Sequence, residues 1–190
     1  LGDFEPKFGW KQVNLPHSFN AQNTFVPVRG YYRGTGWYRK HVRLSDDQCS
    51  KKVFLEFGAA FSLADLWVNE QHVGQYMGGY TGFSADVSDV VRPGDNVIAV
   101  RVTNVHNPDI LPGKEIPDYD LYGGLYREAA LVLKDKLHIP LHGIKVTTPE
   151  VNAASARARV EVKARNEYNE RRRATAVVVI RDPAGRVAAE

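Results

Sequence analysis

A group of polar side chains between residues 104 and 109 is the first candidate for chemistry. Asn104, His106, Asn107 and Asp109 follow an apolar, alternating segment, and a Pro-Gly-Lys sequence begins at residue 112. Amide, imidazole and carboxylate groups each donate or accept several hydrogen bonds, so these side chains could line a pocket for a polar ligand. The same pattern is equally typical of a plain polar loop, and the sequence leaves both interpretations open.

Two carboxylates and one guanidinium are the other candidates. Asp118 and Asp120 lie in an aromatic segment that ends at Arg127, and Arg33 lies two residues before a Thr-Gly pair and an aromatic strand. A carboxylate accepts two or more hydrogen bonds, and bonds to a charged group are the stronger kind. The simpler interpretation of Asp118 is a solvated loop carboxylate, and Arg33 could equally be a structural ion-pair partner.

Several familiar sites are not predicted. His106, Asp109 and Glu115 lack the tight spacing of metal ligands, and the glycines at 34 and 36 lack the third glycine and the following helix of a dinucleotide-binding loop. Cys49 is the only cysteine, so an intrachain disulfide is impossible. It lies in a predicted loop with no partner for a nucleophilic pair. We therefore predict no metal and no cofactor.

Charge and apolar patterning limit the partners. The net charge is only +3, and the basic run at 171–173 has no interleaved aromatic residues, which disfavours nucleic acid as a partner. No apolar run approaches the roughly 20 residues that span a bilayer, so no membrane contact is predicted. Trp37 and Trp67 lie in predicted strands, and this placement favours core packing over stacking on a ligand.

Alternating apolar residues predict β-strands along the whole chain. Side chains at 53, 55 and 57 are apolar and share one face, as do those at 98, 100 and 102, which is the period of a half-buried strand. Further strands are predicted at 37–44 and 64–68, with a hairpin loop at 69–71 and a short helical turn at 86–91. Without a βαβ rhythm, this spacing predicts an all-β fold, with a jelly-roll-like antiparallel β-sandwich over residues 1–140.

A second module is predicted over residues 141–190. Pro140 marks the boundary, and the alternation at 156–165 places Ala158, Val160 and Val162 on an inner face. A further strand is predicted at 175–181. An immunoglobulin-like sandwich needs about seven strands and about 100 residues, so we expect a truncated one here. Its tail would be poorly ordered, or would pack on the first domain or on another copy of the chain, which leaves a homo-oligomer open.

Five segments in a fixed order resemble the N-terminal sugar-binding domain of family 2 glycoside hydrolases, the β-galactosidase and β-glucuronidase group. Each segment alone is weakly specific, but the ordered set is specific and extends to about residue 135. The region from 141 is similar to the family's following immunoglobulin-like domain. The segments are Trp-Lys-Gln-Val-Asn-Leu-Pro-His-Ser-Phe-Asn at 10–20, Tyr-Tyr-Arg-Gly-Thr-Gly-Trp-Tyr-Arg-Lys at 31–40, Ala-Asp-Leu-Trp-Val-Asn through Val-Gly at 64–74, Phe through Pro-Gly-Asp-Asn to Val at 83–102, and Asp-Tyr-Asp-Leu-Tyr-Gly-Gly-Leu-Tyr-Arg at 118–127.

The resemblance implies a chemistry and its site residues. The family's catalytic (β/α)₈ barrel carries two glutamates about 5 Å apart, the nucleophile and the acid/base of a retaining hydrolysis, and neither is among these residues. The family's sugar-binding aspartate precedes the arginine of the Gly-Leu-Tyr-Arg motif by nine positions, which corresponds to Asp118, with Asp120 as second choice. Arg33 stands where galactosidase-type relatives often have an asparagine. Asn104 joins the expected substrate contacts because of the polar loop described above, not because of the resemblance.

The expected function is the non-catalytic N-terminal portion of a retaining exo-β-glycosidase that acts on a β-linked oligosaccharide or glycoside. Its expected partner is the barrel of the same chain, and the fragment alone should be inactive. Residues 112–127 look most like β-galactosidases. The alternatives are a free-standing carbohydrate-binding module and an adhesion protein of stacked sandwiches. The chain opens without Met or a signal peptide, so we expect it to begin inside a longer soluble protein. The bacterial cytoplasm and periplasm both stay open.

Overall fold

The structure is a computed structural model that describes residues 9–22, 32–114 and 119–190, and strands dominate it. This confirms the predicted all-β fold. The chain divides into two compact units, Leu1–Leu133 and Lys134–Glu190, which are described separately. Within the described residues, no helix is long and apolar enough to cross a membrane. The boundary after residue 140 and the immunoglobulin-like character of the second module stay predictions.

A four-stranded antiparallel sheet of the first unit ends at the loops that contain the candidate residues. Its strands are β1 (Thr35–Leu44), β3 (Leu63–Val68), β4 (Gln71–Met77) and β6 (Gly94–Thr103), in the order β1-β6-β3-β4. Strand β6 pairs with β1 on one side and with β3 on the other, so that Thr35, Thr103 and Leu63 lie side by side at one end of the sheet. The strands predicted at 37–44 and 64–68, and the one predicted from the apolar positions 98, 100 and 102, are confirmed with slightly wider bounds.

A three-stranded sheet faces the first one across the core. Its strands are β2 (Lys52–Phe57), β5 (Phe83–Asp86) and β7 (Ala129–Lys134), in the order β5-β2-β7. The alternation seen in the sequence supplies the inner faces, and burying one such side chain stabilises the fold by about 1.5–3 kcal/mol. Members of this core that are at most 4% exposed include Val53, Leu55, Leu66, Val68, Val100 and Val102.

The turns of this unit follow local sequence signals. Asn69 and Glu70 connect β3 to β4 with φ of 48° and 72°, and two consecutive positive φ values are the signature of a two-residue hairpin turn. The predicted hairpin is therefore confirmed, although β4 extends further than the sequence suggested. The turn predicted at 86–91 is also present, because the amides of Val90 and Val91 both donate to Val87 O.

One short helix, α1 (Asp46–Cys49), was not predicted. Ser45 caps it: the amide of Gln48 donates to Ser45 Oγ at 3.2 Å, and the Ser45 amide donates to Gln48 Oε1 at 2.8 Å. This reciprocal pair is a capping box, which the Ser-x-x-Gln spacing could have revealed. Cys49, which was expected in a loop, is the last residue of this helix.

The second unit consists of three strand pairs. They are β9 (Ile144–Val151) with β10 (Ala156–Val162), β8 (Leu137–His138) with β11 (Arg165–Asn166), and β12 (Ile180–Arg181) with β13 (Val187–Ala189). The strand predicted at 175–181 is thus only two residues long. A shift in register between Arg157 and Arg159 interrupts β10, and Val160 alone in that strand is half-buried. All buried hydrophobic residues that the structure describes belong to the first unit.

Candidate functional site

The candidate residues converge on one end of the four-stranded sheet, which we call the loop end. It comprises residues 17–20, 32–34, 104–113 and 119–125, which adjoin the start of β1 and the end of β6. The backbone joins two of these segments directly: the Phe19 amide donates to Gly123 O at 3.1 Å, and the His17 amide donates to Leu125 O at 2.7 Å. Residues far apart in the sequence are therefore held together here.

The charged candidates differ in how much the structure shows of them. Asp118 lies outside the described residues. Asp120 is half-buried, and its carboxylate has no hydrogen-bond or ion-pair partner among the residues that the structure describes. Arg33 is exposed, and its neighbours Tyr32 and Gly34 are both fixed by hydrogen bonds. The loop end therefore presents a carboxylate and a guanidinium on segments that are held by the fold.

Asn104 has a different role from the one expected. Its side chain is 0% exposed, so it has no surface for a ligand. Its Nδ2 donates to Tyr32 O at 3.0 Å and to Leu121 O at 2.9 Å, and its Oδ1 accepts from the Gly34 amide at 2.8 Å. Because these bonds use both amide protons and the oxygen, we remove Asn104 from the proposed substrate contacts.

Asn20 is the functional candidate that sequence reasoning missed. It is 1% exposed, and its Nδ2 donates to the same two carbonyls, Tyr32 O at 3.2 Å and Leu121 O at 3.0 Å. Its Oδ1 accepts from the Gly123 amide at 2.8 Å. Asn20 ends the first segment of the family resemblance, but a polar residue in a loop gives no sign of being buried, so the sequence contained no signal for this role.

The glycine pair of this region allows the segments to approach closely. A Cβ at Gly123 would lie 2.4 Å from the Phe19 ring and 2.7 Å from the Cβ of Asn104. Gly124 has a φ of +127°, and a Cβ there would lie 2.4 Å from Tyr38 Oη. Real side chains do not tolerate such distances, so both positions require glycine.

Tyrosines and a cleft lie beside the loop end. The cleft has a volume of about 270 Å³. Tyr80 borders it, and burial together with the nearby Tyr119 and Tyr126 raises the pKa of the Tyr80 hydroxyl. The Tyr126 hydroxyl donates to the carbonyl of Gly79. The raised pKa keeps the Tyr80 phenol protonated at neutral pH, so its hydroxyl can donate to a polar ligand. The cleft is lined by Met77, Gly78, Gly79, Tyr80, Thr81, Asp109, Ile110 and Leu111.

Beyond Asn104, which bonds to residues 32, 34 and 121, the polar loop at 104–113 is held by its own contacts. His106 Nε2 donates to Gly113 O at 2.8 Å, and the Asp109 amide donates to Asn107 Oδ1 at 2.9 Å. Within the described ranges, no three His, Cys, Asp or Glu side chains are grouped as metal ligands would be. Asp109 is the member of this loop that borders the cleft, whereas Asn104 and His106 stabilise the loop.

The tryptophan prediction is wrong. Trp37 is 46% exposed, and its ring contacts that of Trp67 at a centroid distance of 5.2 Å. Both project from the outer face of the four-stranded sheet. Beside them Asp65 accepts hydrogen bonds from Arg101 Nη2 at 2.6 Å and from Gln75 Nε2 at 2.8 Å. Alternation places residues on a common face but does not tell which face is the inner one.

Comparisons with known proteins point in one direction. The sequence model described as "Glycosyl hydrolases family 2, sugar binding domain" matches residues 7–135. A β-glucuronidase of Formosa agariphila is 33% identical over 95% of this chain and 21% of its own length. A β-galactosidase of Thermoanaerobacter pseudethanolicus is 36% identical over 72% of this chain and 19% of its own length. The chain thus spans about a fifth of the relatives it matches.

Solved structures give the same result. A putative β-galactosidase from Bacteroides fragilis superposes with a TM-score of 0.77 at 31% identity, over 83% of this chain and 24% of that one. A Bacteroides uniformis β-glucuronidase 2, covalently bound to cyclophellitol-6-carboxylate aziridine, superposes with a TM-score of 0.78 at 30% identity, over 89% of this chain and 20% of that one.

Proposed function

The chain belongs to glycoside hydrolase family 2 and contains the family's sugar-binding domain, and we propose that it is the non-catalytic N-terminal portion of a retaining exo-β-glycosidase. In this proposal its substrate is a terminal β-linked sugar of an oligosaccharide or glycoside. The hydrolysis itself takes place on a barrel elsewhere in the same polypeptide, where two glutamates act as nucleophile and acid/base.

The observation that carries the proposal is the arrangement of the loop end. Asp120 is half-buried, and its carboxylate has no partner among the residues that the structure describes. Arg33 is exposed and directly follows Tyr32, whose carbonyl accepts a hydrogen bond from Asn104. Asp118 lies two residues before Asp120 in the sequence. Carboxylates accept hydrogen bonds from adjacent sugar hydroxyls, and these charge-assisted bonds are the stronger kind. Such a loop beside a barrel would close the subsite for the non-reducing sugar.

A β-galactoside is our first choice of substrate. It is supported by the similarity of residues 112–127 to β-galactosidases and by the β-galactosidase relative that is 36% identical. A β-glucuronide is the second candidate, because a relative that is 33% identical over 95% of this chain is named a β-glucuronidase. The two sugars differ at C6, where one has a hydroxymethyl group and the other a carboxylate.

The deciding experiment compares the complete polypeptide with the 190-residue chain on a panel of aryl β-glycosides. We expect the complete polypeptide to release the chromophore from the galactoside with retention of configuration, and the 190-residue chain to release none. Preference for the glucuronide would replace the substrate and keep the reaction. Sugar binding without hydrolysis by the complete polypeptide would replace the enzyme with a carbohydrate-binding module.

Asp118→Ala in the complete polypeptide tests the carboxylate loop. Removing a charged hydrogen-bond partner of the bound sugar should cost about 2–4 kcal/mol of transition-state stabilisation. This corresponds to a fall in kcat/KM of roughly thirtyfold to several hundredfold. Asp120→Ala measures the second choice, and Asp89→Ala is the matched control, because Asp89 is exposed and lies in the connection before β6 at the opposite end of the sheet. A rate equal to that of wild type in both Asp118→Ala and Asp120→Ala would remove this loop from the sugar site.

A further inference from the structure

Two buried asparagines share the same pair of acceptors at the loop end. Asn20 Nδ2 and Asn104 Nδ2 both donate to Tyr32 O and to Leu121 O, over distances between 2.9 and 3.2 Å. A carbonyl oxygen has two lone pairs and can accept two such bonds. We propose that this pair, the asparagine clamp, is a positioning device that sets the sugar-binding carboxylate loop against the Arg33 segment. The inference rests on the proposed function.

The clamp fixes the distance between two segments that are remote in sequence. Tyr32 O and Leu121 O lie within about 6 Å of each other, because Asn104 Nδ2 is 3.0 Å from the first and 2.9 Å from the second. Leu121 directly follows Asp120, and Tyr32 directly precedes Arg33. The two candidate ligand groups are therefore each one residue away from a clamped carbonyl.

The oxygen atoms of the clamp hold the same segments from their other sides. Asn104 Oδ1 accepts from the Gly34 amide at 2.8 Å, so the backbone is fixed on both sides of Arg33. Asn20 Oδ1 accepts from the Gly123 amide at 2.8 Å and from Ser18 Oγ at 2.9 Å. Each asparagine thus joins its own segment to residues 32–34 and 119–125. Aspartate has no N–H to donate to the two carbonyls, and alanine has neither a donor nor an acceptor.

The burial of the clamp explains how it positions without touching sugar. Asn20 is 1% exposed and Asn104 is 0% exposed, so neither side chain is available to a ligand. Each shared carbonyl keeps one bond when a single asparagine is replaced, but Asn20→Ala takes the acceptor from the Gly123 amide, and Asn104→Ala takes the acceptor from the Gly34 amide. A backbone amide that loses its partner in such a buried place carries a desolvation cost. The loop would then move to find another partner. Misplacing a binding group by about 1 Å is enough to cost two orders of magnitude in rate.

Asn96 provides a matched control in the same strand. It is also 1% exposed, and it also makes side-chain bonds to backbone, with Nδ2 donating to Arg92 O at 2.7 Å and to Gly94 O at 3.0 Å. Asn96 lies near the start of β6, whereas Asn104 follows its end, so the two are at opposite ends of the sheet. Asn96→Ala therefore reproduces the loss of a buried asparagine without disturbing the loop end.

The test measures kcat/KM of the complete polypeptide on the aryl glycoside that wild type hydrolyses, with thermal unfolding of each variant. We expect Asn20→Ala and Asn104→Ala to lower kcat/KM at least tenfold at a temperature where all variants are folded. Asn96→Ala should lower the Tm by a similar amount and keep kcat/KM within twofold. If Asn104→Ala does not fold, Asn20→Asp decides, because it keeps the acceptor for the Gly123 amide and removes both donors.

A double-mutant cycle separates positioning from general destabilisation. If Asn20 acts through the carboxylate loop, Asn20→Ala should cost less than twofold in an Asp118→Ala, Asp120→Ala background, where that loop no longer binds sugar. A full and additive loss in that background would overturn the proposal. Equal losses of kcat/KM in the Asn20 and Asn96 variants would overturn it as well.

Hydrogen exchange of the 190-residue chain tests the clamp without any activity. In Asn20→Ala or Asn104→Ala, exchange should become at least tenfold faster in peptides that cover residues 32–34 and 119–125, and in Asn96→Ala only around residues 92–97. Unchanged exchange at the loop end would refute the clamp. Absence of glycosidase activity in the complete wild-type polypeptide would instead refute the proposed function, so the two failures are distinguishable.

Discussion

The ion pair on the outer face of the four-stranded sheet allows a quantitative test of the structure. The side chain of Asp65 is 5% exposed and that of Arg101 is 41% exposed. Arg101 Nε and Nη2 both donate to Asp65 Oδ2, at 3.0 and 2.6 Å. Arg101→Met removes the guanidinium and keeps most of the aliphatic stem that runs along the sheet.

The expected loss follows from the unequal burial of the two partners. Removing one partner of a fully buried pair costs about 3–5 kcal/mol, and an exposed pair contributes about 0–1 kcal/mol. Here the residue left behind is the buried one, but Asp65 keeps a hydrogen bond from Gln75 Nε2 at 2.8 Å, and His72 Nε2 lies 3.4 Å away. We therefore expect the free energy of unfolding to fall by about 2 kcal/mol.

Denaturant unfolding monitored by tryptophan fluorescence is the assay. Trp10, Trp37 and Trp67 all belong to the first unit, so their emission reports the unfolding of that unit. The control is Lys51→Met, because Lys51 pairs with Asp47 at 3.1 Å with side chains 45% and 77% exposed. It should change the free energy of unfolding by less than about 0.5 kcal/mol.

The stability penalty of Arg101→Met should also depend on pH, in a direction that follows from the pKa of Asp65. Burial opposes the ionisation of Asp65, but hydrogen bonds from Gln75 and Arg101 outweigh it and hold the pKa of this carboxyl below its ordinary value. A lowered folded-state pKa contributes stability above the unfolded pKa, and this stability is lost as the pH falls through the folded pKa. The penalty of Arg101→Met should therefore be full at pH 7 and shrink below about pH 4. A penalty equal to that of Lys51→Met, or one that stays constant down to pH 3, would refute the reasoning.

Three further substitutions test the fold by thermal and denaturant unfolding. Gly124→Ala places a methyl group against a tyrosine hydroxyl and a backbone carbonyl, so it should lower the free energy of unfolding by more than about 2 kcal/mol. The control Gly94→Ala, with φ +88° and open space around the residue, should cost about 1 kcal/mol. Equal losses in the two variants would contradict the close approach at Gly124. Leu66→Ala, at a position 1% exposed, should cost about 2–5 kcal/mol, and the 69% exposed Leu111 should be replaceable by alanine within about 0.5 kcal/mol; a small effect at 66 would speak against this core. Ser45→Ala removes the cap of α1 and should cost about 0.5–2 kcal/mol; no measurable change would mean that the capping box does not form in solution.

The elements that the sequence predicted well are those set by local chemistry. Alternation located the strands that contain Val53 and Val100, and the loop signal at 69–71 located the hairpin. The short helix at Asp46–Cys49 was overlooked because four residues produce no apolar period, although its capping box was legible. Such features depend on neighbours along the chain, so one sequence is enough to read them.

The tryptophans and the asparagines show where this reading stops. Trp37 and Tyr38 are consecutive in β1 and therefore lie on opposite faces of the sheet. Both side chains are large and aromatic, so the sequence does not tell which one faces the core. Packing against the second sheet decides that Tyr38 faces inward and Trp37 outward. Asn104 looks in sequence like any polar residue after a strand. It is buried because residues 20, 32 and 121 come together around it.

The sequence by itself determined the family, the all-β class and the segment in which the candidate carboxylates lie. It did so through local periodicity, turn chemistry and an ordered set of motifs, none of which depends on long-range contacts. Tertiary structure alone decided which polar side chains are buried and hold the backbone, and which stay at the surface. The physical reason is that a buried amide is stable only where remote chain segments supply its hydrogen-bond partners, and those partners are fixed by the fold.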